Sequence, residues 1–280
     1  GHSGDDDDGI GGTGYSGEDD GIGGTGLAHH DGIGGTGDDD GIGGTGLSDD
    51  DGIGGTGIWG TITNFGSLCV NGLRVQYDKE TSVLRNGQSA DASTLERGQV
   101  VWIEATAQGT QLRANRIAAV SAVIGPLTAI DTDARRLQVG EQTVAVPKGV
   151  IWAGIPPLDD AKFTRLRPGD TLDVSGLRDD EGTIVATRIV RSEAALPSYR
   201  GPRLAALIRE SADVKQLSIE GFRGRENAQG QFRVGGLEVK APRMRRLTPF
   251  SRVWVNGPRS GAESMDARRV LYRPLQRDSS

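Results

Sequence analysis

Histidine is all but missing from this chain: only three of its 280 residues are His, at positions 2, 29 and 30. From residue 31 onward no imidazole is available to activate a serine or cysteine nucleophile, which removes the commonest hydrolytic and transfer chemistries. Cysteine is scarcer still. Cys69 stands alone, so no disulfide forms within the chain, and its neighbours Leu68 and Val70 place it in an apolar strand where a thiol is inert. No apolar run reaches the roughly 18 residues that a spanning helix needs. Aromatics make up 5% of the sequence, too few for a surface that stacks bases. Paired carboxylates, such as Asp159 with Asp160 or Asp179 to Glu181, fall in turn-like polar stretches and read as solvated loops. These absences argue against an enzyme and against a nucleic-acid binder.

Glycine and aspartate are what the front of the chain has instead. The first 57 residues hold 23 of the 44 glycines, 13 aspartates and Glu18, and the first basic residue is Arg74. Within them DGIGGTG occurs five times, from Asp8, Asp20, Asp31, Asp40 and Asp51. So little apolar surface cannot offset the ordering entropy that glycine makes largest, and the composition predicts a disordered anionic arm over residues 1–57. Charge divides accordingly. The arm carries 14 acids and no Lys or Arg, residues 58–280 carry 24 acids and 32 bases, and the excess of bases lies in 197–280, with 17 against 8 acids. GIGGTG is no nucleotide fingerprint, because no strand precedes it and no apolar helix follows. Its copies read either as stickers that add to a sheet edge or to each other, or as a spacer expanded by slippage.

Alternation begins where the arm ends. Ile58 to Val75 gives two short alternating runs and a turn at Val70-Asn71-Gly72 that asks for positive φ at Asn71 and Gly72, and residues 97–119 give a second hairpin around Gly109. The pattern then repeats twice. VNGLRV at Val70 matches VGEQTV at Val139 and VGGLEV at Val234; GQVVWIEA at Gly98 matches GDTLDVSG at Gly169 and FSRVWVNG at Phe250; ANRI at Ala114 matches ATRI at Ala186 and ARRV at Ala267. Landmarks recurring in one order indicate duplicated domains. The expected fold is all-β: three tandem small OB-like barrels over 58–120, 121–193 and 217–273. A linker over 194–216 carries one short helix with Leu204, Leu207 and Ile208 on its apolar face, and residues 274–280 form a frayed tail.

The G-x-[IL]-T start, the V-[NG]-G turn, the [RP]-G-[QD] before an alternating strand and the closing A-x-R-[IV] resemble the bacterial exported family catalogued as domain of unknown function 5666. The likeness covers residues 57–192 and is looser over 217–272, where the Gly before the fourth strand is missing. It implies OB-like barrels in secreted or lipid-anchored proteins, and it brings no reaction and no catalytic residues. The leader after Gly1 points the same way, since Asp/Gly/Ser-rich tethers follow the lipidated cysteine or the cleavage site of exported proteins. The expected location is extracytoplasmic: periplasm, outer-membrane-attached or secreted, touching membrane only through a lipid anchor.

Two sets of residues are candidates for binding. His2, His29 and His30 with Asp38, Asp39, Asp40, Asp49, Asp50 and Asp51 form a flexible donor set for Cu²⁺ or Ca²⁺, although no formal calcium loop fits and no cofactor is required. Trp102 and Trp254 share one place in the fourth-strand motif, where the second unit has Asp173. With their alternating neighbours in the core, both point out of their barrels, either to stack on a ligand or, as we expect, to be buried between neighbouring units. Arg252, Arg268 and Arg269 complete this candidate partner surface, and the basic third unit could take phosphates.

The expected function is non-catalytic: an extracytoplasmic binding or assembly protein in which the arm supplies multivalent, cation-sensitive contacts to protein or to itself. The alternative is metal handling by the arm. A third reading is an anion binder autoinhibited by its own acidic segment.

Overall fold

The computed structural model describes residues 54–154, 165–194, 196–242 and 248–272. In the first unit seven strands follow the predicted hairpins: β1 (Gly55–Asn64), β2 (Leu68–Val70), β3 (Leu73–Gln76), β4 (Ser82–Arg85), β5 (Gln88–Ser89), β6 (Val100–Gln108) and β7 (Gln111–Val120). Asn71 and Gly72 have φ of 55° and 75°, the pair of left-handed residues that the tight β2–β3 hairpin requires. Pairing runs β1–β2–β3–β7–β6 and back to β1, with β3 parallel to β7, so five strands close into a barrel. Ile58, Ile62, Leu68, Val70, Val101, Ile103 and Ile117 fill it. The stretch between the third and fourth barrel strands adds β4 alongside β7, also parallel.

The second unit repeats this order with β8 (Val123–Asp131), β9 (Arg136–Val139), β10 (Gln142–Ala145), β12 (Thr171–Arg178) and β13 (Ile184–Ser192), β10 lying parallel to β13. Its insertion supplies β11 (Ile151–Gly154), parallel to β13, as β4 is to β7. A short β14 (Tyr199–Arg200) pairs with β8 before α1 (Leu204–Glu210) begins. The helix buries Leu204, Leu207 and Ile208, the three residues whose spacing predicts it. It is shorter than the expected linker allows, because the next strand already starts at Val214.

That strand, β15 (Val214–Phe222), opens the third unit, followed by β16 (Phe232–Val234), β17 (Leu237–Lys240), β18 (Arg252–Pro258), β19 (Ser264–Asp266) and β20 (Arg269–Tyr272). β15 pairs β18, β16 pairs β17, and β17 lies parallel to β19. Single bridges, Arg223 to Val234 and Arg259 to Met265, stand where the first unit has continuous ladders. The unit's last strand is divided into β19 and β20 around Ala267.

The arrangement of the units differs from beads on a string. β1 pairs in parallel with β15, Gly55 opposite Val214 and Trp59 opposite Ile219, so the first and third units share one sheet across the second. Both faces of β1 are covered as a result, and its residues from Thr56 to Ile62 are all buried. Trp59, Trp102, Val214, Leu217, Ile219, Val253 and Val255 join α1 in one hydrophobic cluster, whereas Leu127, Leu137, Val139, Leu172 and Ile189 form a separate core in the second unit.

The strand also begins earlier than composition predicts. Gly55, Thr56 and Gly57 are the end of the fifth DGIGGTG copy, and they lie inside the sheet between β6 and β15. Thr56 is 3% exposed. A Cβ on Gly57 would come within 2.3 Å of the Trp102 ring, so glycine is required here for close approach.

Candidate functional site

The equivalent places in the three fourth strands each contact another unit. Trp102 on β6 is 1% exposed and donates from Nε1 to Ser211 Oγ at 3.2 Å and Glu104 Oε1 at 3.2 Å, packed against α1 and β15. Asp173 on β12 is buried and pairs with Arg85 of the first unit at 3.0 Å. Trp254 on β18 is half-buried over the Gly72 turn, where a Cβ would meet its ring at 3.4 Å. Both tryptophans contact a neighbouring unit of this same chain.

Arg252 is likewise turned inward. Its guanidinium meets Glu220 at 2.8 Å and donates to Thr61 Oγ1 at 3.1 Å, while Glu220 Oε2 accepts from the Thr61 amide at 2.8 Å. Asn71 Nδ2 donates to the Trp59 and Ser218 carbonyls, so polar groups at this seam between units one and three are tied across it. Arg268 and Arg269 are exposed at the β19–β20 break. They share no site with Trp102. His2, His29, His30 and Asp38 to Asp40 and Asp49 to Asp51 lie outside the described residues, as do Arg243, Arg245 and Arg246. Among the described residues no group of three His, Cys, Asp or Glu is disposed to hold a metal ion.

A different site is built where the three units meet. A cleft of about 290 Å³ is lined by Trp59 and Val120 from the first unit, Leu177, Arg178 and Asp179 from the second, Arg200, Arg203 and Leu204 from the linker, and Glu220 and Arg233 from the third. Arg178 ends β12. Its Nη1 donates to Gln142 Oε1 at 2.9 Å and Gly182 O at 3.1 Å, and Nη2 to Ala122 O at 3.2 Å, so carbonyls hold the guanidinium without neutralising it. Burial and then the like charges of Arg200 and Arg203 push Arg178 below its ordinary value.

Two of the three carboxylates that line the cleft are committed elsewhere, and the third, Asp180, lies beside Gly224. Asp179 Oδ1 accepts from the amides of Glu181 and Thr183, closing the β12–β13 turn. Glu220 is occupied by Arg252 and Thr61. Sequence reasoning missed this cleft because its residues come from four separated stretches. The available signal was the density of Arg around the linker, Arg200 and Arg203 flanking Gly201-Pro202, with no acid nearby.

Comparison with known proteins follows the same division into units. Residues 60–118 and 124–190 each match the family described as Domain of unknown function (DUF5666). No curated protein matches the chain. A solved structure described as a multidomain protein with nucleic acid binding domains from Streptococcus pneumoniae is 15% identical, with 79% of this chain and 74% of that chain covered, at a TM-score of 0.18. So low a score carries no argument about architecture or ligand.

Proposed function

With residues 60–118 and 124–190 belonging to the family described as domain of unknown function (DUF5666), we propose that the chain is a non-catalytic, extracytoplasmic binding and assembly protein. Three OB-like barrels act as its scaffold, and its DGIGGTG repeats act as strand-forming contacts between copies. The observation that supports this reading is the fifth repeat, whose Gly55-Thr56-Gly57 is a strand paired on both sides. Four further copies of the same sequence precede it. In three of them the residue after the final glycine is apolar, Tyr15, Leu27 and Leu47, where the fifth has the fully buried Ile58.

A strand needs an edge to join. Among the described residues β20 pairs only with β18, and its Leu271 and Tyr272 are 40% and 55% exposed. Repeats from a second copy adding here would bury that apolar surface, and several weak additions per chain would sum to avidity. The aspartates flanking each repeat oppose this by mutual repulsion, so Ca²⁺ and Mg²⁺ should promote association alike by screening.

Light scattering on size-separated full chain, and on chain lacking residues 1–50, tests the proposal. The full chain is expected to grow in mass with concentration and with either cation, while the shortened chain, its fold checked by near-ultraviolet circular dichroism, stays monomeric. Equal masses for the two would refute the repeats as assembly elements. A response to Ca²⁺ without one to Mg²⁺ would replace screening by a dedicated metal site.

A further inference from the structure

The cleft between the units carries a second conclusion that does not depend on the repeats. Four arginines line one hollow, Arg178, Arg200 and Arg203 close together and Arg233 from the third unit, and like charges so placed repel unless an anion sits among them. Arg178 is fixed in position by three carbonyl acceptors, which use three of its five donors. The guanidiniums of Arg200 and Arg203 have no hydrogen bond or ion pair among the described residues, and both residues are exposed toward solvent. The nearby acids do not balance them, since Asp179 serves its own turn and Glu220 serves Arg252. Asp180, the third acid of the lining, lies beside the backbone of Gly224 in the third unit, and one carboxylate does not balance the guanidiniums around it.

Part of the wall is apolar. Trp59, Leu177 and Leu204 contribute it, each less than a tenth exposed. A hollow of about 290 Å³ sits at the lower end of the range of roughly 300–1,000 Å³ typical of small-molecule sites. It is too small for an oligonucleotide and larger than a bare oxyanion needs.

We propose that this cleft binds a small organic phosphate, its oxyanion group held by Arg178, Arg200 and Arg203 and its apolar part resting against Trp59, Leu177 and Leu204. Guanidinium suits this ligand because its planar fork matches phosphate oxygens two at a time and stays charged at every physiological pH. Three of them match a group with three acceptor oxygens and close to two negative charges better than they match a carboxylate. Because all three units and the linker line the hollow, occupancy would also tie the second unit to the other two.

Calorimetric titration of phenyl phosphate, inorganic phosphate and phenol into the full chain, with tryptophan fluorescence recorded in parallel, tests the site. Saturable binding is expected for phenyl phosphate, weaker binding for inorganic phosphate and none for phenol. Arg200→Gln and Arg203→Gln should each lower the affinity for phenyl phosphate about tenfold, the loss of one charge-assisted contact. Both side chains are exposed, so the fold is not at risk. Arg136→Gln, an equal change of charge at an exposed position in another part of the second unit, should leave affinity as it was. Failure of phenyl phosphate to saturate, unchanged affinity in the Arg200→Gln/Arg203→Gln double variant, or an equal loss in Arg136→Gln would each overturn the site. Inorganic phosphate binding as tightly as phenyl phosphate would overturn the role given to the apolar wall.

Discussion

Trp102, Asp173 and Trp254 occupy one position in three repeated motifs, and each makes a contact outside its own unit. Trp102 carries the most apolar surface into a shared core, so Trp102→Ala should cost about 3–5 kcal/mol, measured by chemical denaturation. Glu220→Ala leaves the Arg252 guanidinium buried at a seam without its counter-ion, and a loss of about 3–5 kcal/mol is again expected. At Gly57 the change is additive rather than subtractive. A single methyl forced against the Trp102 ring should cost about 1–3 kcal/mol, and Gly57→Ala would lower the thermal midpoint although alanine ordinarily stiffens a chain.

Acid sensitivity also has a residue-level source. The amide of Glu80, with help from Arg113 and Thr81, holds the Asp78 carboxyl below its ordinary value of 3.8. A depressed carboxyl stabilises the fold above its unfolded value, and the contribution is lost as pH falls through the folded one. Asp78→Asn should therefore flatten the acid limb of a stability profile and leave the neutral region little changed apart from the lost pair.

At the scale of elements, β1 shows both what the sequence discloses and what it hides. The hairpin at Asn71-Gly72 and the helix with Leu204, Leu207 and Ile208 were legible because turn chemistry and helical spacing are local signals. The start of β1 was not. Gly55-Thr56-Gly57 is identical to four earlier copies, and only its neighbours β6 and β15 make it a strand. Parallel pairing of β1 with β15 left no trace either, since the Thr61 amide and the Glu220 carboxylate that meet there are 159 residues apart. The outward direction of Trp102 and Trp254, and their contact with neighbouring units, could be read from alternation, but the particular residues they meet could not, and Arg178 with Arg200 and Arg203 had no common motif. Deletion makes the boundary measurable: removing residues 1–50 should leave the thermal midpoint unchanged, and removing 1–57 should lower it by taking three paired residues from the sheet.

For the molecule as a whole, three hydrophobic clusters set the levels of cooperation. The first and third units share a sheet and a hydrophobic cluster, whereas the second has a core of its own and meets the others through Leu177 in that cluster and through polar links, Arg85 to Asp173, Asn86 to Ser121 and Arg188 to Glu96. Native-state hydrogen exchange should resolve two blocks, residues of units one and three opening together and those of unit two opening at another free energy. A single block spanning all three would show that the polar links couple more strongly than their exposure suggests.

Pairing β1 with β15 also places a delay in the birth of the protein. At synthesis rates of roughly 5–20 residues per second, the strand that completes the outer side of β1 emerges about ten to thirty seconds after it. Until then Trp59 and Trp102 lack their cover, and a glycine-rich edge waits beside repeats of its own sequence. On the assembly reading proposed above, the aspartates between those repeats would act as gatekeepers during the wait, discouraging a premature match. Nascent chains halted near residue 200 should be cut by protease within β1, while finished chains resist, and a β1 already protected at that length would mean that the first barrel matures alone.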